Sequence, residues 1–145
     1  MEPTMHSPPA SFAAAAERIW PQGQALMDNW GQPFSVEWLP EIDSTNSELQ
    51  RRARAGHQDA VLLGADVQTA GRGRLGRAWH GSAGDALTFS VGLPVRQPQW
   101  AGLSLVAGVA VAQALHPGVG LKWPNDLYWQ GRKLGGVLVE AITRN

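Results

Sequence analysis

Three arginines, Arg72, Arg74 and Arg77, fall within six residues, with only Gly73, Leu75 and Gly76 between them. Glycine lets a backbone approach an anion closely, and the guanidinium fork matches phosphate or carboxylate. The chemistry such a segment suits is the holding of a small anion. A solvated loop whose arginines merely keep it soluble is the plain alternative. The letters Gly71-Arg72-Gly73-Arg74-Leu75-Gly76 also fit G-x-G-x-x-G. A dinucleotide fingerprint, however, needs a helix directly after it to receive the pyrophosphate. Here Gly81, Ser82 and Gly84 follow with no helical period. A P-loop fails because no Gly-Lys-Ser/Thr occurs, and an arginine-glycine RNA segment would need repeats that are absent.

The second cluster of interest is Lys122-Trp123-Pro124-Asn125-Asp126 with Lys133 close behind. Lys122 and Lys133 are the only lysines of the chain. Surface lysines are normally common, so this placement weakens the reading of a merely solvated charge. The third is Asp43-Ser44-Thr45-Asn46, a set of hydroxyl and amide groups where a helix should begin. His6, His57, His80 and His116 are scattered, without metal-ligand spacing, and are read as non-catalytic, with no metal site.

These groups sit in a chain of 145 residues with no cysteine and a formal net charge of zero. Its length suits one domain with a modest core. Disulfides, thiolate metal sites and a cysteine nucleophile are excluded. The neutral balance does not call for nucleic acid or an anionic membrane. The first 16 residues contain no Lys or Arg, unlike the front of a secretory signal. The longest apolar run, Leu105 to Ala112, is too short to span a bilayer. A soluble, cytoplasmic protein is expected.

Stepping along the chain, residues 1–14 read as a flexible tail and 13–20 as a short helix stopped by Pro21. Phe34, Val36 and Trp38 alternate as in a half-buried strand. Thr45 and Glu48 match a capping box, so a helix should start there and end near Gly56. Ala60 to Val67 reads as a buried strand, Gln68 to Asp85 as a long loop, and Ala86 to Leu93 as a strand. Apolar positions 103, 107, 110 and 114 predict a helix from about Trp100 to Leu115, ended by His116-Pro117-Gly118. Val119 to Lys122, Leu127 to Trp129 and Lys133 to Ala141 are further strands, the last two forming a hairpin across Gln130-Gly131-Arg132. The mixture predicts an α+β fold, with helices on one face of a mixed or mostly antiparallel sheet.

Three motifs in order carry a family resemblance: Glu41-Ile42-Asp43-Ser44-Thr45-Asn46; Gln68-Thr69-Ala70-Gly71-Arg72-Gly73-Arg74-Leu75-Gly76-Arg77-Ala78-Trp79; and Lys122-Trp123-Pro124-Asn125-Asp126-Leu127 followed by Arg132-Lys133-Leu134-Gly135-Gly136. From about Val36 to Glu140 the chain resembles the biotin–protein ligases, of the monofunctional type. The resemblance implies a catalytic domain like that of class II aminoacyl-tRNA synthetases, occupying 15–145. It also implies that a further strand and a small C-terminal β-barrel of the family lie beyond this chain, which is expected to hold that domain in part. The roughly 35 residues before the first strand are too few for a winged helix, so no transcriptional repression is expected.

The implied reaction has two steps. Biotin and ATP, with Mg2+, give biotinyl-5'-adenylate and pyrophosphate; the biotinyl group then passes to a lysine of the biotin carboxyl carrier domain of a carboxylase. Ser44, Thr45, Asn46 and Gln68 would bind biotin, with Gln68 near the bond to be made. Arg72, Gly73 and Arg74 would fold over biotin and the adenylate. Lys133 would reach the biotin carboxylate and the phosphate, and Arg72, Arg74 and Lys133 would be the catalytic groups. Arg74, Arg77, Trp79, Lys122, Asn125 and Asp126 would line the nucleotide region. Plainer roles stand beside these: capping for Thr45, core packing for Trp79, a turn for Asp126. Family members often dimerise by sheet extension, so a homodimer is a further expectation. Two rival readings stay open: a lipoate–protein ligase, which shares the fold and adenylation logic, and a module that holds biotin or its adenylate without transferring it.

Overall fold

The computed structural model describes residues 34–95 and 101–143. The tail and short helix expected before Pro21 lie outside the described residues. The chain gathers into two compact units, residues 34–72 with 78–94, and residues 73–77 with 95–143, a division that length and composition do not announce.

The first unit is a three-stranded sheet with one helix. Its strands are β1 (Phe34–Ile42), β2 (Ala60–Gln68) and β3 (Thr88–Gly92), in the order β1-β2-β3. β1 runs parallel to β2 and β3 antiparallel to it, so the sheet is mixed. β2 is the central strand and supplies the core: Leu63 and Ala65 are fully buried and Ala60 nearly so. The Trp38 ring crosses β2 over Gly64, where an added Cβ would meet ring carbons at 2.0 and 2.1 Å. Its indole N–H donates to Asp66 Oδ1 at 2.9 Å. A glycine in a central strand otherwise weakens it; here it makes room for the ring.

Helix α1 (Thr45–Arg54) joins β1 to β2. Its N-cap is Ser44, whose side chain accepts from the Ser47 amide at 3.3 Å. The capping box expected from Thr45 and Glu48 is therefore displaced by one residue. Glu48 does not reach back; its carboxylate is held by Arg51 and Arg52 one turn on. With that acid in the first turn and Arg51, Arg52 and Arg54 in the last, the charges oppose the helix dipole at both ends.

The second unit holds helix α2 (Leu103–Leu115) and an antiparallel meander, β4 (Gly120–Lys122), β5 (Asp126–Trp129) and β6 (Arg132–Gly136). Gln130 and Gly131, both at positive φ, make the two-residue turn of the expected β5–β6 hairpin. Two expectations are corrected here. The stripe at 103, 107, 110 and 114 is not the buried face of α2: Gly108 and Ala112 are buried, with Leu121 against Gly108, while Ala110 and Ala114 are exposed. A helix that is apolar nearly all round gives no periodic signal to choose a face. β6 stops at Gly136 rather than Ala141, because Gly136 already pairs with Asp126, the first residue of β5. Beyond it, Val137 N–H donates to Asn125 O at 2.9 Å and the Asn125 side-chain amide donates to Val137 O at 3.1 Å. No helix among the described residues is long and apolar enough to cross a membrane.

Candidate functional site

The parallel pairing of β1 and β2 brings the first motif to the second. Ile42 pairs with Gln68 at the carboxyl ends of the two strands, and the ladder continues with Thr69 N–H to Ile42 O and Ala70 N–H to Asp43 O, at 2.9 and 2.8 Å. Ligand sites in α/β sheets favour this place, outside the strands' carboxyl ends, where helix N-termini supply donors. Gln68 Oε1 accepts from the Thr45 amide at 2.8 Å and from Thr45 Oγ1 at 3.1 Å. A backbone N–H can only donate, so the Gln68 oxygen must face Thr45 and its NH2 must face away. Thr45 Oγ1 also lies 2.7 Å from Ser90 Oγ, which in turn donates to Asn46 Oδ1. Ser44 and Thr45 are each only 2% exposed. Thr45 thus holds Gln68, while the capping expected of it falls to Ser44.

The glycine–arginine segment is more ordered than a structureless loop. Arg72 and Ala78 form an isolated bridge, and Trp79 N–H donates to Gly71 O at 2.9 Å. A Cβ on Gly71 would sit 2.5 Å from the Trp79 carbonyl oxygen and 2.7 Å from Gln68 Nε2, so this glycine is required by close approach. Arg72 Nε donates to Ser47 Oγ at 3.1 Å, which ties the arginine to α1. Trp79 is half-buried, not a core tryptophan.

Charge around the helix start is arranged by pairs. Arg51 makes two hydrogen bonds to Asp43, at 2.8 and 2.9 Å. That contact, followed by the Ser44 amide, holds the Asp43 carboxyl at about 2. Arg52 and then Arg51 hold Glu48 below its ordinary value. Asp43 titrates near 4 when unfolded, so its folded value of about 2 gives stability that is complete above pH ~4 and lost as pH falls towards ~2. Urea melts from pH 7 to pH 2 should show this loss, and Asp43→Asn should flatten that part of the profile. An unchanged acid limb in the variant would mean that the Asp43–Arg51 pair contributes nothing.

In the second unit the meander assembles Lys122, Asp126 and Lys133. Lys122 pairs in register with Asp126, and Lys133 Nζ lies 2.9 Å from Asp126 Oδ1 across the hairpin. Lys122 Nζ stands 5.1 Å from the Tyr128 ring centroid, a cation–π contact. Asp126 is ion-paired with Lys133, and Lys122 on the neighbouring strand adds a second positive charge to the meander, which suits an anionic ligand. Asn125 spends its amide N–H on Val137, so its first role is to close the turn. Residues 73–77 group with this unit. Arg74–Gly76 form a single 3-10 turn, and Gly73 N–H donates to Arg77 O at 2.7 Å. Arg77 is exposed; Arg74 lines an open pocket with Ser104, Val137, Leu138, Val139 and Ala141. Among the described residues no three His, Cys, Asp or Glu side chains cluster as metal ligands, and His116 Nδ1 accepts from Gly118 N–H at 3.0 Å, a turn contact.

The expected residues therefore fall into two sets. Ser44, Thr45, Asn46, Gln68, Arg72 and Trp79 belong to the first unit; Gly73, Arg74, Arg77, Lys122, Asn125, Asp126 and Lys133 belong to the second. Sequence reasoning missed Ser47, which receives Arg72, and Ser90, which links Thr45 to Asn46. Nothing in the sequence marks Ser90: the alternation would put Phe89 and Val91 on the buried face, whereas Ser90 takes it, where polar groups need partners.

Residues 38–145 match the model of the biotin/lipoate A/B protein ligase family. The biotin–[acetyl-CoA-carboxylase] ligase of Mycobacterium tuberculosis is 44% identical over 117 residues, which cover 73% of this chain and 44% of that protein. The bifunctional ligase/repressor BirA of Escherichia coli is 46% identical, covering 73% of this chain and 35% of that one. The chain thus spans less than half the length of these relatives. Among solved structures, the biotin protein ligase of Aquifex aeolicus, in complex with biotin and ATP, superposes with a TM-score of 0.64 at 42% identity, over 74% of this chain and 47% of that one. The biotin acetyl coenzyme A carboxylase synthetase of Helicobacter pylori, with bound biotinylated ATP, gives 0.65 at 30% identity, over 74% and 55%. With the Thr45–Gln68 junction and the lysine meander both falling within the matched span, the chain belongs to the biotin/lipoate A/B protein ligase family.

Proposed function

We propose that this chain is the biotin- and ATP-handling part of a biotin–protein ligase. A biotin carboxylate oxygen bonds to the α-phosphorus of ATP, the bond to pyrophosphate breaks, and biotinyl-5'-adenylate results. A lysine amine of a carboxylase carrier domain then attacks the acyl carbon, and AMP leaves. The observation that carries the reading is the convergence of Thr45, Asn46 and Gln68 at a helix N-terminus beside the β1–β2 strand ends. A ureido ring offers two N–H donors and one carbonyl acceptor, and such hydroxyl and amide groups complement both.

In this proposal Ser44, Thr45, Asn46 and Gln68 bind the biotin ring. Arg72, Gly73, Arg74 and Lys133 hold the carboxylate and the α-phosphate, offsetting the repulsion of two anions and the charge that develops between them. Arg77, Trp79, Lys122, Asn125 and Asp126 belong to the nucleotide. Asp126 is paired with Lys133 and no ready-made metal cluster stands among the described residues. Bound with the triphosphate, a magnesium ion would neutralise part of its charge.

Incubation with ATP, biotin and a carrier domain, followed by streptavidin blotting, tests this. A band that needs both ATP and biotin is expected. Pyrophosphate release without a band would identify an adenylating module that does not transfer; neither signal would count against the ligase reading. The lipoate reading keeps one observation in its favour, that the matched family model spans both ligase types.

A further inference from the structure

The two lysines of the chain share one face of the meander because of a bulge. β5 meets β6 with Leu127 opposite Gly135 but Tyr128 opposite Lys133, so Leu134 is the extra residue on β6. Side chains alternate along a strand. Without that insertion Lys133 would share the face of Leu127, which is buried on the side of Leu121 and α2. A bulge re-aims a side chain in this way: Lys133 turns to the face of Asp126 and Tyr128 and bridges Asp126 at 2.9 Å. On β4, Lys122 stands opposite Asp126, yet its ammonium lies over the ring of Tyr128, the diagonal neighbour, 5.1 Å from the centroid. Diagonal pairs on one face are within reach of long and aromatic side chains. Tyr128 thus stands between the two cations, in register with Lys133 on one side and under Lys122 on the other. Like charges on one face repel, and the electron-rich face of the ring is what keeps Lys122 there.

We propose that Tyr128 is a positioning residue: its ring holds the Lys122 ammonium on the face that carries Lys133, so that two cations meet the triphosphate of ATP from one side. This rests on the nucleotide assignment of Lys122 above. A lysine side chain is long and mobile, and one that moves freely in water must be ordered as the anion binds. One already seated over a ring is ordered beforehand, and the anion then gains its charge at smaller entropic cost. The contact is with the ring face, so the tyrosine hydroxyl takes no part in it.

Tyr128→Leu removes the ring and Tyr128→Phe keeps it, both in the full 145-residue chain. Proton–carbon NMR of the lysine ε-methylenes reads the contact directly, because two lysines give two signals, and Lys122→Gln identifies the one it removes. The Lys122 signal should be shifted upfield by the ring in the parent and in Tyr128→Phe, and should relax to that of a solvated lysine in Tyr128→Leu. Calorimetry with MgATP should show binding about 2- to 5-fold weaker in Tyr128→Leu, the scale of an exposed cation–π contact, and unchanged in Tyr128→Phe. In the Lys122→Gln background Tyr128→Leu should add nothing, and biotin binding should be the same in all of these chains. A Lys122 signal unmoved by Tyr128→Leu would overturn the proposal, as would ATP binding that stays at the parent's value. So would a loss that persists in the Lys122→Gln background or extends equally to biotin, since that describes a merely structural tyrosine. Failure of the parent to bind ATP would overturn it as well, whereas ATP binding without biotin-dependent pyrophosphate release would count against the ligase reading alone.

Discussion

Replacing Lys133 with alanine should reduce biotin-dependent pyrophosphate release by about 100- to 1000-fold, the scale seen when one preorganised charge-stabilising donor is lost. Adenylation brings a carboxylate against a phosphate, and the ammonium is the group assigned to draw the two together. The partner left behind, Asp126, is 25% exposed and Lys133 43%. An ion pair so open to water contributes only about 0–1 kcal/mol to stability, so the variant should melt close to the parent. That separation of activity from folding makes the result interpretable. Lys133→Arg keeps the charge but spreads it over a planar fork, and should recover activity only in part. Near-normal pyrophosphate release by Lys133→Ala would remove this residue from the site.

The second large effect is expected from Gly71→Ala. The added methyl would sit 2.5 Å from the Trp79 carbonyl oxygen and 2.7 Å from Gln68 Nε2. The first contact is with backbone and cannot be relieved by a rotamer change. The Gly71–Trp79 hydrogen bond and the Arg72–Ala78 bridge must open, and Gln68 must turn from its place beside Thr45. Overpacking of this kind costs about 1–3 kcal/mol, and displacement of Gln68 should weaken biotin binding by at least about tenfold through the loss of its hydrogen bonds. Denaturant melts and calorimetry read the two effects apart. Binding equal to the parent's would show that the segment opens without disturbing Gln68.

What the sequence made legible was mostly local. The alternation at Phe34, Val36 and Trp38, the hydroxyl cluster at Ser44 and Thr45, the apolar run from Ala60 and the turn at Gln130-Gly131 each announce an element through side-chain chemistry. The displaced cap shows the limit: Ser44 and Thr45 are both good N-caps, and only the backbone at Ser44, extended at φ −160° and ψ 130°, decides between them. The face of α2 was illegible because nearly every side of it is apolar. The end of β6 was illegible because a strand lasts only as long as its partner, and β5 begins at Asp126. The site was legible as residue types but not as contacts. Gln68 and Thr45 lie 23 positions apart and meet only through the parallel register of β1 and β2, while Ser90, 45 positions from Thr45, drew no notice because a lone serine on a strand has no motif.

Calorimetric titration of this chain with biotin and, separately, with lipoate addresses the central claim most directly, because it asks what the Thr45–Asn46–Gln68 junction recognises before any chemistry occurs. Biotin should bind and be weakened by Gly71→Ala, while lipoate, which has no ureido group for these amides and hydroxyls, should not bind measurably. Binding of lipoate in preference to biotin, or of neither, would contradict the account.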